Sequence, residues 1–271
     1  MDILICGTAA TNSWPALFCV CENCAKARAL GGKNIRSRAA YMLGERVRID
    51  FGPDSNMHAL NYGLAYEKLD HLLITHTHQD HCFPADLSHR RVSRSIVNKT
   101  LHVWGSEAVE KKMIGTLGED WAKYFIQYHR IAAWERIDLG EGMSAIPIVA
   151  THAPGELAVN YRIETGGRAA LIAHDTGWYS DVTWEYITNK PVNLAIIDCT
   201  GGQKDYRSHH LGCRPLLEMR DEMLKRNCLA ADAKVVATHF SHEGGLFHED
   251  LVRFFEPHGV IVAYDGLKLT I

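Results

Sequence analysis

Five short apolar runs in this chain each end on a histidine or an aspartate, and that repetition constrains the fold more than any other feature. Leu72-Leu73-Ile74-Thr75 leads into His76, and Ile146-Pro147-Ile148-Val149-Ala150-Thr151 into His152. Ala170-Leu171-Ile172-Ala173 leads into His174-Asp175, Leu194-Ala195-Ile196-Ile197 into Asp198, and Val235-Val236-Ala237-Thr238 into His239. Short apolar runs rich in β-branched residues read as buried strands. Strand ends along one edge of a sheet open on one cleft, so residues distant in sequence can meet there.

Strand-like runs lie at 2–6, 46–50, 69–74, 101–104, 144–149, 158–164, 168–173, 193–198, 233–238 and 259–264. Helix-like stretches lie near 22–30, 56–65, 106–117, 180–188 and 211–226, the last with Leu216, Leu217, Met219, Met223 and Leu224 at helical spacing. Strands mixed with helices argue for α/β layers. With no linker and no repeat in 271 residues, a single domain over 1–271 is expected.

The 29 basic and 32 acidic residues leave a net charge of −3. That balance gives no global pull toward nucleic acid or an anionic membrane, so an anionic substrate must be held by local charge. No apolar run approaches the ~18 residues of a membrane span, and Met1-Asp2-Ile3-Leu4-Ile5 lacks the basic start of a leader. The expected location is the cytoplasm, with neither membrane nor nucleic acid as partner.

His76-Thr77-His78-Gln79-Asp80-His81 carries the most chemistry. Neutral imidazole and carboxylate suit Zn²⁺, Mn²⁺ or iron, and four such groups in six residues can hold two cations. In an extended segment 76, 78 and 80 share one face and 81 points elsewhere. Cys19, Cys21 and Cys24 form a second cluster, read as metal ligands or a redox centre, while Cys6, Cys82, Cys199, Cys213 and Cys228 read as small buried hydrophobes. In His89-Arg90-Arg91-Val92-Ser93-Arg94, the guanidinium groups of Arg90, Arg91 and Arg94 can grip a phosphate, against the plainer reading of a solvated basic face.

The His-x-His-x-Asp-His motif after a strand resembles the signature of the metallo-β-lactamase superfamily, and His152, Asp175 and His239 follow in that family's order. The resemblance implies a four-layer αββα sandwich. It implies His76, His78 and His152 on one cation, Asp80, His81 and His239 on a second, and Asp175 bridging. Asp50-Phe51-Gly52-Pro53-Asp54 matches the family's Asp-x-Gly turn, whose aspartate supports the ligands; for Asp54 a simple Gly-Pro turn is an equal reading.

Gly7-Thr8, Cys19-x-Cys21-x-x-Cys24, Arg36-Ser37-Arg38, Asp198-Cys199 and Thr238-His239-Phe240-Ser241-His242 extend the likeness end to end. Together they resemble the phosphoribosyl 1,2-cyclic phosphate phosphodiesterases of the carbon–phosphorus lyase pathway. That likeness implies a structural zinc on Cys19, Cys21, Cys24 and His242, in a Cys-rich loop at about 18–25. It implies two active-site cations, Mn²⁺ or Zn²⁺, and a homodimer. It also implies a phosphate-contacting histidine just before a helix, either His209 or His210, with His210 aligning better.

The expected function is hydrolysis of a small, cyclic phosphodiester through a dinuclear metal-activated hydroxide. Asp80 would orient the nucleophile, and His210 would contact the phosphate or protonate the leaving oxygen. Competing readings are a nuclease of the tRNA-processing type, a relative of the pyrroloquinoline-quinone biosynthesis protein, and a non-catalytic metal-binding member of the fold.

Overall fold

A computed structural model describes residues 1–91 and 93–271. Two seven-stranded mixed sheets face each other with helices outside, forming a four-layer αββα sandwich. The first half supplies β1 (Asp2–Gly7), α1 (Glu22–Leu30), β2 (Ala40–Leu43), β3 (Val47–Ile49), α2 (Ser55–Tyr62), β4 (His71–Leu73), β5 (Leu101–Gly105), α3 (Glu107–Leu117) and β6 (Ile126–Arg130). The second supplies β7 (Ile137–Asp138), β8 (Met143–Val149), β9 (Val159–Thr165), β10 (Arg168–Ala173), α4 (Asp181–Ile187), β11 (Val192–Asp198), α5 (Cys213–Lys225), β12 (Leu229–Thr238), α6 (His248–Phe255), β13 (Val260–Val262) and β14 (Leu267–Thr270).

One sheet runs β14-β1-β2-β3-β4-β5-β6 and the other β13-β12-β11-β10-β9-β8-β7, so the last strand of the chain closes the first sheet. The larger apolar core lies between the sheets and continues under α4, α5 and α6 through Trp184, Leu216, Met219 and Phe255. A smaller core under α3 gathers Leu72, Val103, Val109 and Met113. Strands buried on both faces explain why the sequence shows continuous apolar runs rather than alternation.

The parallel ladders place the strand ends side by side. Ala173 of β10 pairs with Ile197 of β11, and Asp198 of β11 with Thr238 of β12. His174-Asp175, Asp198 and His239 therefore leave adjacent strands at one edge. In the facing sheet Ile49 pairs with Leu73, bringing Asp50 and the chain toward His76 to the same end. Asp50, Asp175 and His239 all have positive φ, of 63°, 53° and 61°. A left-handed residue turns the chain sharply as the strand ends, a conformation that Asp and His adopt more readily than most.

Four strands go beyond the sequence expectation. β2, β6, β7 and β14 are too short or too mixed in composition to be told from helix or loop by periodicity. α6 is likewise only two turns long. The helix expected from 211 begins at Cys213, because the Leu211 N–H donates to Asp198 (2.8 Å) instead of entering a helical turn. No helix of the described residues is long and apolar enough to cross a membrane.

Candidate metal centre

The motif loop is pinned before any cation is considered. Asp50 Oδ1 accepts from the Thr75 N–H at 2.9 Å, and the Thr75 hydroxyl also donates to Asp50. Thr77 donates its N–H and hydroxyl to Glu156. The Asp80 carbonyl lies across Gly52, where an added Cβ would come within 1.9 Å of it, so only glycine lets the two segments pass. Beneath them buried Arg48 donates to the Asp50 carbonyl (2.9 Å), to Ser55 (3.2 Å) and to Tyr66.

The structure brings the seven motif and strand-end residues into two groups that share one carboxylate. His76, His78, His152 and Asp175 offer ligand atoms within 4.8 Å of one another, and so do Asp80, His81, Asp175 and His239. Asp175 Oδ2 lies 3.5 Å from His76 Nε2 and 2.6 Å from His81 Nε2; its Oδ1 lies 3.4 Å from His239 Nδ1. His152 Nε2 is 3.0 Å from His78 Nδ1. The division differs from the alternation read in the sequence. The chain turns at 79–81, which rotates Asp80 away from His76 and His78 to the side of His81.

The donor chemistry fits two cations. His76 Nε2, Asp80 Oδ1, Asp175 Oδ1 and His239 Nε2 are buried there without a hydrogen-bond partner, which for polar atoms in a folded interior needs a reason. Burial alone would raise the Asp80 and Asp175 carboxyls; the surrounding imidazoles, His81 first for Asp80 and His239 first for Asp175, hold both well below the usual range. Burial pulls the His81 imidazole down, but Asp80, Asp175 and Asp50 together drive it well above its ordinary value. Such a site takes up positive charge, and a cation replaces the proton when the ligands bind it.

Orientation comes from groups behind the ligands. Asp50 Oδ2 sits 2.7 Å from both His81 Nδ1 and His174 Nε2. Thr200 Oγ1 contacts His239 Nδ1 at 2.8 Å and donates to Asp198 at 2.9 Å. Of the Asp-x-Gly turn, Asp50 therefore does the supporting. Asp54 instead binds Arg38, accepting from its backbone N–H and its guanidinium at 2.9 Å each. Thr200 carries no signal in the sequence, since a lone threonine beside a strand end has no distinguishing spacing; His174 stands out as a strand-end residue, but its contact with Asp50 does not follow from its position.

His210 and His209 separate cleanly. His210 Nδ1 lies 3.0 Å from Asp198 Oδ2 and 3.3 Å from Asp175 Oδ1. Burial would lower its imidazole, but Asp198, then Asp175 and Asp80, raise it to about 9. The His209 side chain is exposed, and its backbone carbonyl accepts from His152 Nδ1 at 2.9 Å. A cleft of about 480 Å³ opens over this group, and His78, Asp80, Asp175, His210 and His239 line it. A larger one of about 610 Å³, with Lys204, Arg207 and Arg214 in its wall, lies beside the same loop but carries none of these histidines, so chemistry rather than volume places the site.

The arginine cluster is elsewhere. Arg90 donates to the carbonyls of Lys99 (2.6 Å), Tyr124 (3.1 Å) and Phe125 (3.2 Å), holding a loop. Arg91 and Arg94 are exposed and do not line the cleft. The phosphate-gripping reading of all three is thus corrected to a structural arginine and two solvated ones; Val92 between them lies outside the described residues.

At the far end of the cleft wall, Cys19, Cys21, Cys24 and His242 converge within 4.8 Å. His242 Nδ1 lies 3.6 Å from Cys21 Sγ and 3.9 Å from Cys19 Sγ, and Asn23 donates to the His242 carbonyl at 2.8 Å. The Cys24 N–H, then His242, lower the Cys21 thiol to about 6, while burial raises Cys24 to about 11. Arg36 of the Arg36-Ser37-Arg38 run is buried and donates to Thr8 (2.7 Å) and the Ala263 carbonyl (2.8 Å); Ser37 donates to Asp265 at 2.6 Å. These are ties between the chain ends, not cleft residues.

Comparison with known proteins agrees with this geometry. The sequence model of the β-lactamase superfamily domain matches residues 45–240. No curated protein matches the chain by sequence. Among solved structures, a diphosphatase from the PhnP family aligns with a TM-score of 0.77 at 24% identity, over 100% of this chain and 97% of that one. Zn²⁺-bound PqqB from Methylobacterium extorquens aligns at 0.76 and 15%, over 100% of both chains. The short form of human tRNase Z aligns at 0.65 and 15%, over 100% of this chain and 99% of that one. At such identities the likeness is one of fold.

Proposed function

This chain belongs to the β-lactamase superfamily, and from that membership and the site above we propose that it is a metal-dependent hydrolase of small phosphodiesters, cyclic ones among them. The observation that carries the reading is the pair of donor groups joined by Asp175. His76, His78 and His152 would hold one cation, Asp80, His81 and His239 the other, with Asp175 shared. When bound, two such ions, Mn²⁺ or Zn²⁺, supply Lewis acidity that lowers the pKa of water and neutralises charge on phosphoryl oxygens.

The protein's own groups do the rest. Asp50 holds the Nδ1 side of His81 and Thr200 that of His239, which leaves Nε2 of each ring for a cation. Asp80 lines the cleft with an unpartnered oxygen, Oδ1, and would orient the attacking water. Asp198 lies 3.0 Å from His210 Nδ1 and favours the protonated imidazole, which would hydrogen-bond the phosphoryl group or protonate the leaving oxygen. The diphosphatase likeness favours phosphoric esters and anhydrides over other hydrolase substrates. A tRNA-processing nuclease fits less well, because among the described residues no lysine or arginine lines the cleft to hold a nucleic-acid backbone. The eight cysteines are all unpaired, which suits the reducing cytoplasm. Turnover of a cyclic nucleotide, a cyclic ribose phosphate and RNA by Mn²⁺- and Zn²⁺-loaded protein tests the substrate class. Cyclic diesters should be cleaved and RNA should not; cleavage of RNA alone would reverse the reading.

Cys19, Cys21, Cys24 and His242 would hold a separate structural zinc, since three thiolates and one imidazole complete a tetrahedral site with no place for water. That ion would tie residues near 20 to the loop after β12, three residues from His239. A Cys21→Ser, Cys24→Ser double variant is expected to lose one zinc per chain by mass spectrometry. Each kcal/mol of lost stability should lower Tm by about 2–4 °C. Unchanged zinc content, or a Cys19–Cys24 disulfide in freshly purified protein, counts against it.

A further inference from the structure

Two thiols face each other behind the loop that carries His210. Cys199 follows Asp198 at the end of β11, Cys213 opens α5, and their sulfurs lie 3.6 Å apart. Cys6 and Cys228, also buried, instead direct their thiols at the carbonyls of Leu4 and Ile187. Cys199 is sealed at 0% exposure, while Cys213, 2% exposed, lines the cavity of about 610 Å³ beside the loop. A small oxidant in that cavity therefore meets Cys213 first, with Cys199 directly behind it. The residues between them form a tight loop. The Gly202 N–H donates to the Cys199 carbonyl (3.3 Å), the Cys213 N–H to the Gly202 carbonyl (2.8 Å) and the Gly201 N–H to the Leu211 carbonyl (2.8 Å). Gly212 lies against the Lys204 carbonyl, where an added Cβ would come within 1.8 Å. Asp198 is joined to the same loop, accepting from the Leu211 N–H at 2.8 Å and lying 3.0 Å from His210 Nδ1. A segment packed this closely passes on a shift imposed at either end.

We propose that Cys199 and Cys213 form an oxidisable dithiol, and that the disulfide between them shuts the site by displacing the 200–212 loop. The oxidant is a peroxide. Cys213 Sγ attacks one oxygen of hydrogen peroxide, the O–O bond breaks, and a sulfenic acid and one water form. Cys199 Sγ then attacks Cys213 Sγ, the S–O bond breaks, and the disulfide forms as a second water leaves with the Cys199 proton. Two electrons pass from the two sulfurs to the peroxide. Burial pushes the Cys199 thiol up, so Cys199 is the slower sulfur and reacts with the sulfenic acid beside it rather than with peroxide. Closing to the S–S length of about 2.05 Å asks the sulfurs to approach by about 1.5 Å. That approach draws the first turn of α5 toward the end of β11, and the shift falls on Leu211 and His210. The loss of activity rests on the phosphodiesterase reading; the bond itself does not.

The test treats metal-loaded protein with hydrogen peroxide, maps linked peptides by mass spectrometry, and follows bis(p-nitrophenyl) phosphate hydrolysis before and after dithiothreitol. In wild type the Cys199 and Cys213 peptides should become linked. Activity should fall about 10- to 100-fold, the scale of misplacing a reacting group by about 1 Å. Dithiothreitol should reverse both changes. Cys199→Ala and Cys213→Ala should start with wild-type activity and show no such reversible loss; Cys213→Ser repeats the experiment should alanine disturb the packing. Each variant keeps Cys19, Cys21 and Cys24, so peroxide damage to that cluster strikes every protein alike. The imidazole NMR signal of His210, assigned with His210→Ala, gives a readout that needs no turnover: it should move as the link forms and return on reduction. An equal loss in wild type and both variants, the absence of a Cys199–Cys213 link, or a link that leaves activity and the His210 signal unchanged overturns the proposal. If the reduced protein cleaves no diester, the phosphodiesterase reading fails, and the link and the His210 signal still decide this one.

Discussion

Asp80→Ala is expected to reduce diester hydrolysis by about 10³-fold or more, on the scale of losing a principal electrostatic group, while the fold survives. Asp80 belongs to one of the two donor groups and also presents the unpartnered Oδ1 to the cleft, so its removal acts on both the cation and the attacking water. The loop that carries it is held independently of its side chain. His81 and Cys82 donate their N–H groups to the His78 carbonyl at 3.1 and 2.9 Å, and Phe51 donates to the His81 carbonyl at 2.8 Å. Metal content should fall toward one active-site ion per chain. Asp80→Asn, nearly isosteric, repeats the experiment should the alanine variant fold poorly. Activity like that of wild type in either variant removes Asp80 from the site.

The second large effect lies at His210. His210→Ala should lower kcat by about 10²–10⁴, the usual contribution of a positioned proton donor, with metal content unchanged. His209→Ala should remain close to wild type. Its side chain is exposed, and the contact it makes to His152 runs through a backbone carbonyl that the substitution keeps. A larger loss in His209→Ala than in His210→Ala would move the role back by one position.

How much of this was legible beforehand depended on which interaction carried the information. The ligand residues stood out because each follows an apolar run: β10, β11 and β12 run parallel and end in register before Asp175, Asp198 and His239, while His76 follows β4 in the facing sheet and His152 follows β8, which is antiparallel to β9. The partition of the ligands did not follow from alternation. A tight turn at 79–81 breaks the two-residue period and sends Asp80 to the His81 side. The supporting groups were mostly hidden. Asp50 could be read from its turn, but His174 and Thr200 act through contacts between elements far apart in sequence. The Arg90 reading failed for a related reason: a basic cluster near a motif in sequence can spend its guanidinium on loop carbonyls. Short strands such as β2, buried on every position, and the two-turn α6 lack enough residues for a period to emerge.

The account rests on a two-cation site that hydrolyses phosphodiesters, and one measurement bears on it most directly. Hydrolysis of bis(p-nitrophenyl) phosphate is followed for protein stripped by a chelator and then titrated with Mn²⁺ or Zn²⁺. The account predicts no turnover after stripping and recovery that saturates at two equivalents per chain beyond any zinc retained by the cysteine cluster. Turnover by fully stripped protein, or none at any loading with either metal, would contradict it.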